Sequence, residues 1–255
     1  MGILNVTPDS FSDGGRYVDP RTTLARAREM IAEGADIIDV GAESTRPYGG
    51  AQPVSLDDEI ARLAPVLRPV AELGTPVSID TIKATVAAWA LEQGATVMND
   101  VWGLQRDPDM ARVAAEHGVP VVVMHNREQA DPSLDIMSDI EGFFLRSFDI
   151  ASNAGIARKN IVLDPGIGFG KTPEQSIEVI ARLAELKSFG LPILIGLSRK
   201  RFINAISPSK PDERLGGSLA GSLAAVRAGA DVVRVHDVAE TVQALRIMAA
   251  IEKAR

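Results

Sequence analysis

Polar side chains of the kinds that bind and transform small molecules close a series of short apolar runs in this chain. In order they are Asn5, Asp39, Asp80, Asn99 with Asp100, His125, Asp164, Ser198 with Lys200, and Arg234 with His236. A carboxylate at the end of a buried run is costly unless something partners it. A single one reads as a cap or a local hydrogen bond. A polar group after nearly every run, with the opposite ends almost bare, points to one shared ligand-bearing face.

The chemistry of these residues divides in two. Asp80, Asn99, Asp164 and Lys200 suit a flat, nitrogen-rich ring. A carboxylate accepts two parallel N–H bonds from an aminopyrimidine edge, and an amide both donates and accepts. The other half is cationic, with Arg46, Arg234 and His236. Together with Asn5 and the hydroxyls of Thr7, Ser10, Ser44 and Thr45 it makes a polyanion site. Oxygen donors beside a phosphate also suit Mg2+, which keeps most of its waters and takes few protein ligands. The loop after the first run, Thr7–Gly15, carries Asp9 and Asp13, hydroxyls and a glycine pair but few apolar anchors. It is expected to act as a mobile lid.

Other polar residues have plainer readings. Asp39 could be a core-edge hydrogen bonder, Asp100 a cap, Arg199 a rim ion pair, and His117 a solvent-facing helix end. Phe143, Phe144 and Phe148 share a helical spacing and read as core or subunit contact. His125 stays open between lining the mouth and a structural role.

The elements that must position these groups are eight apolar runs: Gly2–Val6, Ala35–Val40, Pro76–Asp80, Thr96–Asp100, Val119–Met124, Ile161–Asp164, Ile193–Gly196 and Asp231–Val235. None alternates cleanly, as suits parallel strands covered on both faces. Helix signals lie between them. Asp19-Pro20 offers an N-cap followed by proline, and Thr172 with Gln175 a capping box. Gly34, Gly74, Gly94, Gly118 and Gly229 stand where helices end. The junctions Gly34-Ala35-Asp36, Gly94-Ala95-Thr96 and Gly229-Ala230-Asp231 repeat one βα unit. Eight such units over 255 residues predict an α/β fold, a single (β/α)8 TIM barrel spanning residues 1–255. The runner-up, an open doubly wound sheet, lacks the Gly-x-Gly-x-x-Gly turn after its first strand. Gly170-Lys171-Thr172 misses the four-residue spacer of a P-loop and runs into Pro173, which excludes a nucleotide triphosphatase.

Composition narrows the partners. With 27 basic and 34 acidic side chains the net charge is −7, which disfavours nucleic-acid and anionic-membrane partners. There is no cysteine, hence no thiol nucleophile or disulfide framework. Asn5 and Asp9 break the only apolar run near the start, and no run approaches the roughly 20 residues of a membrane helix. The expectation is a cytoplasmic enzyme acting on small molecules.

Seven stretches, in order, resemble the dihydropteroate synthase family, a pterin-binding family of folate biosynthesis. They are MGILNVTPDSFSDGG at the start, D-V-x-x-E-S-T-R-P at 39–47, SIDT at 78–81, MND at 98–100, LDPGIGFGK at 163–171, GLSRK at 196–200 and RVHDV at 234–238. The resemblance implies a (β/α)8 barrel that joins 4-aminobenzoate to 6-hydroxymethyl-7,8-dihydropterin diphosphate. It implies that Asp80, Asn99, Asp164 and Lys200 hold the pterin. Asn5, Thr45, Arg46, Arg234 and His236 would bind diphosphate, with Mg2+ at Asn5. Pro47, Phe169, Ser198 and Lys200 would shape the 4-aminobenzoate pocket, where sulfonamides compete. Asp80, Asp39, Lys200 and Arg234 would be the catalytic groups of a dissociative reaction in a homodimer.

The chain also departs from the family pattern. It begins directly on its first strand, and Gly41-Ala42-Glu43 replaces a commoner double glycine. Tyr48-Gly49-Gly50 lengthens the second loop, and His125-Asn126-Arg127 differs from the usual sequence. A catalytically silent pterin-binding barrel would have lost Asn5, Asp9 or the Thr45-Arg46 pair, and a pterin-dependent methyltransferase would need no diphosphate cluster.

Overall fold

In the computed structural model, residues 1–7, 19–43 and 54–254 are described. The apolar runs become eight strands: β1 (Gly2–Asn5), β2 (Ile38–Gly41), β3 (Val77–Asp80), β4 (Val97–Asp100), β5 (Val121–Met124), β6 (Ile161–Asp164), β7 (Leu194–Gly196) and β8 (Val232–Arg234). Every pairing is parallel, β1 to β6 in sequential order and β7 with β8. Two further parallel bridges close the ring, Leu163 with Ile193 between β6 and β7, and Gly2 with Val235 between β8 and β1. The fold is thus a closed (β/α)8 barrel, and the open-sheet alternative falls.

The described helices are α1 (Pro20–Glu33), α2 (Leu56–Leu63), α3 (Leu67–Ala71), α4 (Ala84–Glu92), α5 (Met110–His117), α6 (Ile136–Ala154), α7 (Pro173–Ala181), α8 (Arg201–Ile206), α9 (Leu215–Arg227) and α10 (Val238–Lys253). Their starts follow local chemistry. Asp19 accepts from the Arg21 N–H ahead of Pro20, and Thr172 and Gln175 exchange both bonds of a capping box. Among the described residues no helix is long and apolar enough to cross a membrane.

Several strands begin later than their apolar runs, and the repeated Gly-Ala junction shows why. Gly34, Gly94 and Gly229 have φ of 103°, 106° and 104°. Each left-handed glycine turns the chain so that the next N–H reaches back into the helix: Ala35 to Met30 O, Ala95 to Ala90 O and Ala230 to Ala225 O. Those alanines finish a helix, in the six-to-one bond of a Schellman end, and the strand starts only afterwards.

Strand register places the polar ends in layers. Asn5 pairs with Gly41, Gly41 with Asp80, and Asp80 with Asn99. Side chains alternate along each strand, so Asp39 shares a face with Gly41 one layer deeper. The apolar faces of the strands pack under the helices in one continuous core running from Leu4 to Val238. Phe143 and Phe144 are buried there, Phe144 with its ring edge-on to Phe189 at 5.9 Å. The three phenylalanines are thus core, with Phe148 stacked on Phe144.

Replacing Thr172 by alanine removes the hydroxyl of the capping box and is expected to lower stability by about 1 kcal/mol, measurable as a shifted urea midpoint with unchanged slope.

Candidate active site

Inside the mouth of the barrel, a guanidinium sits between two carboxylates. Arg234 at the end of β8 donates from Nε to Asp39 Oδ2 at 2.6 Å and from Nη2 to Asp80 Oδ2 at 2.7 Å. Asn99 Nδ2 donates to the same Asp39 oxygen at 3.1 Å. Asp39 is 0% exposed and Asp80 5%, so these charges are held by each other and little screened. The second oxygens, Asp39 Oδ1 and Asp80 Oδ1, are buried without a hydrogen-bond partner among the described residues. A buried acceptor in that state is costly unless a donor arrives. Asp80 lies in the layer of Asn5 and Asn99, at the level a ligand's N–H groups would reach.

The electrostatics follow from crowding. Two carboxylates share one guanidinium, leaving a buried excess of negative charge. Burial raises Asp80 to about 7 despite the pull of Arg234, with Asp39 adding to the rise. Burial disfavours the charge on Arg234, yet Asp39 and Asp80 outweigh it and hold the guanidinium protonated. Asp164, at the end of β6, is also raised by burial, against the pull of Lys200 and the N–H of Gly166, which donates to Oδ1 at 2.7 Å. Burial lowers Lys200 to about 8, opposed by Asp164. Its ammonium bonds Ile167 O and stands 4.8 Å from the centre of the Phe169 ring.

The segment after β7 shows how backbone conformation aims side chains. Arg199 adopts φ 60°, a left-handed conformation that a long side chain takes only when held. Its N–H donates to Ser218 Oγ at 2.8 Å, its carbonyl accepts from Arg214 at 2.9 Å, and its guanidinium pairs with Asp237. With Arg199 turned outward to that rim ion pair, Ser198 and Lys200 on either side of it turn inward. Ser198 Oγ then accepts from the His236 N–H at 3.2 Å and lies 3.0 Å from His236 Nδ1.

These contacts tie together the residues that the sequence divides into a ring half and an anion half. Arg234, placed with the anion group, holds Asp80 of the ring group. Ser198, placed with 4-aminobenzoate, touches His236 of the anion group. The halves are interlocked. Asp39 faces the barrel interior with no exposed surface, under Arg234 and Asn99. Asn5 ends β1, half-buried, and Phe169 is half-buried on the turn after β6. Thr45, Arg46 and Pro47 lie outside the described residues, as do Ser10, Ser44 and nearly all of the proposed lid. Asp100 is a loop cap, accepting from the N–H groups of Trp102 and Leu104 at 2.9 and 2.6 Å.

Two clusters escaped the sequence reading. Lys83 bonds Glu43 and, at 2.6 Å, Glu59, which also accepts from Thr81 Oγ1 at 2.7 Å. Glu43 further accepts from the Val54 N–H at 3.1 Å. Glu59 is 0% exposed on an otherwise amphipathic α2, and an acid on a helix's apolar face was the available signal. The second cluster joins His125, Asp139, Arg127 and Lys171. It resolves His125 as structural, and its spacing carries no local signature.

Comparison with known proteins agrees with this geometry. A family model described as pterin binding enzyme matches residues 1–236. A dihydropteroate synthase of Bacillus subtilis is 48% identical over 252 residues, covering 98% of this chain and 87% of that protein. The crystal structure of a Clostridium difficile dihydropteroate synthase in the presence of pteroic acid superposes with a TM-score of 0.94 at 48% identity, covering 98% of this chain and 95% of that one. A Xanthomonas albilineans dihydropteroate synthase with 4-aminobenzoic acid gives 0.93 at 40% identity, covering 98% and 92%.

The charge balance around Arg234 predicts one carboxyl titrating near pH 7 in the ligand-free protein, observable by NMR of carboxyl-labelled aspartate and absent from Asp80→Asn. Its folded value lies above the unfolded one near 4, so this group alone makes stability fall as pH rises from about 4 to about 7.

Proposed function

The chain belongs to the dihydropteroate synthase family of pterin-binding transferases, and from that premise we propose how its residues carry out the family's reaction. The reaction condenses 6-hydroxymethyl-7,8-dihydropterin diphosphate with 4-aminobenzoate, giving 7,8-dihydropteroate and diphosphate. The observation that carries the residue assignment is the Asp80 oxygen beside Asn99, which has no partner among the described residues while its other oxygen holds Arg234.

Asp80, Asn99, Asp164 and Lys200 hold the pterin. The carboxylates and the amide take the N–H groups of its edge, and Lys200 donates to a ring acceptor. Asn5, Thr45, Arg46, Arg234 and His236 take the diphosphate. The reaction is dissociative: the bond between the pterin methylene and the diphosphate oxygen breaks first, and its electron pair leaves with diphosphate. The methylene cation is conjugated with the ring and lies near the Asp80 carboxylate. Asp39 serves beneath it by holding Arg234 in place. The nitrogen of 4-aminobenzoate then attacks the methylene and releases its proton. Fixed positive charge at the leaving group stabilises what develops in the transition state without reorganisation. Pro47, Phe169, Ser198 and Lys200 shape the 4-aminobenzoate pocket, and the Ser198–His236 contact sets that pocket directly against the diphosphate site.

Mg2+ fits the donor chemistry here, because Asn5 presents a hard amide oxygen at the mouth and the remaining ligands of such an ion are water and phosphate oxygens. Bound by Asn5 and diphosphate, it would neutralise charge on the leaving group. A homodimer belongs to the same proposal. It is supported by large apolar side chains left exposed on α6, α7, α8 and α10: Leu145, Ile177, Ile206, Ile247 and Ile251.

Incubation with the pterin diphosphate is expected to release diphosphate and form dihydropteroate in step with added 4-aminobenzoate; folded protein giving no amine-dependent product would overturn the reading. In Asp164→Asn the KM for the pterin diphosphate should rise roughly tenfold or more, the loss of one charge-assisted bond, with the KM for 4-aminobenzoate nearly unchanged.

A further inference from the structure

One buried cluster has no part in the chemistry above. Lys171 is 2% exposed, burial holds it well below the usual lysine range, and its side-chain nitrogen donates to Gly166 O at 2.9 Å and Phe169 O at 3.2 Å and lies 2.6 Å from His125 Nδ1. On the far side of the imidazole, Nε2 is 3.0 Å from Asp139 Oδ2 on α6. Both oxygens of Asp139 also accept from Arg127 at 2.9 Å. The His125 contact, with Arg127, lowers Asp139 to about 2, so it can only accept. The imidazole proton therefore sits on Nε2, and Nδ1 is left as the acceptor for Lys171. Burial, with the Lys171 charge beside it, lowers His125 to about 4, which keeps the ring neutral in this arrangement.

The turn after β6 is held from both sides. Lys171 bonds the carbonyls of Gly166 and Phe169, and Lys200 bonds that of Ile167. The turn also lies hard against the continuation of β5. A Cβ on Gly166 would stand 1.9 Å from His125 O, and one on Gly170 2.4 Å from Arg127 Cβ. The His125 N–H donates to Asp164 O at 2.9 Å. Within this short stretch stand Asp164, whose carboxylate accepts from the Gly166 N–H, and Phe169, which flanks Lys200.

We propose that Lys171 is a positioning residue: seated on His125, it pins the Gly166–Phe169 turn to the end of β5 and so sets affinity for 4-aminobenzoate without touching it. The chain of contacts runs from α6 through Asp139, His125 and Lys171 into the turn, so the Phe169 wall is in place before a substrate arrives. A preformed wall lowers the ordering that binding requires. The kinetic part rests on the synthase reading; the structural part rests on the geometry alone.

The test compares wild type with Lys171→Met by hydrogen exchange and steady-state kinetics. Exchange in the turn over residues 166–171 is expected to quicken about tenfold or more while the strands stay protected. The KM for 4-aminobenzoate should rise about tenfold, with kcat within about threefold. Unchanged exchange in that segment, or a lowered melting temperature with an unchanged KM, would overturn the proposal. If Lys171→Met does not fold, His125→Asn and His125→Gln decide. The shorter amide can still accept from Lys171, whereas the longer one reaches Asp139 instead. His125→Asn should therefore keep the KM nearer wild type, and the reverse order would overturn the proposal. Wild-type protein without amine-dependent product would sink the synthase reading, and exchange would then judge the positioning role by itself.

Discussion

The guanidinium of Arg234, wedged between Asp39 and Asp80, is the contact on which the mouth of this barrel depends. It joins β8 to β2 and β3 across the seam where the last strand meets the first. Barrel interiors of this kind are ordinarily filled by branched apolar side chains; here one layer is ionic. Such a layer is not an efficient source of stability, since desolvation offsets most of the attraction, but breaking it by removing one partner typically costs about 3–5 kcal/mol. Its value lies in geometry. Each carboxylate is fixed by one oxygen and leaves the other without a partner among the described residues, so the site is oriented and short of donors there.

The surrounding structure repeats that logic with backbone in place of side chains. Arg199 is held in a left-handed conformation by Ser218, Arg214 and Asp237, and the payment is the inward aim of Ser198 and Lys200. Lys171 and Lys200 hold carbonyls of the turn that carries Phe169. Sequentially remote elements thus over-determine the few residues whose positions matter, and this is how strained or polar conformations persist at a functional site.

Much of this was legible in the chain itself. Strand ends were readable because a parallel strand buried on both faces is a continuous apolar run, and the first polar residue after it marks the mouth. Asn5, Asn99, Asp164 and Arg234 follow that rule, and Asp80 closes its strand although Ser78 interrupts the run. Strand starts were less legible. At Gly34-Ala35 and its two repeats the alanine looks like strand by composition but is engaged by a six-to-one bond to the preceding helix. The contacts that join Arg234 to Asp39 and Asp80, and Ser198 to His236, were not legible at all. Asp39 and Arg234 stand 195 residues apart, and no local pattern reports that one Asp39 oxygen accepts from both Arg234 and Asn99. The same holds for Lys171, whose motif suggested only a glycine turn, and for Asp139, an unremarkable acid on α6 until His125 is placed beside it.

In the proposed reaction Arg234 serves both subsites, the diphosphate directly and the pterin through Asp80. Calorimetric binding of the pterin diphosphate and of the corresponding pterin alcohol, which lacks the diphosphate, tests it most directly in Arg234→Met. If the guanidinium fixes Asp80, the variant loses affinity for both molecules. Loss confined to the diphosphate, with the alcohol bound as in wild type, would contradict the claim.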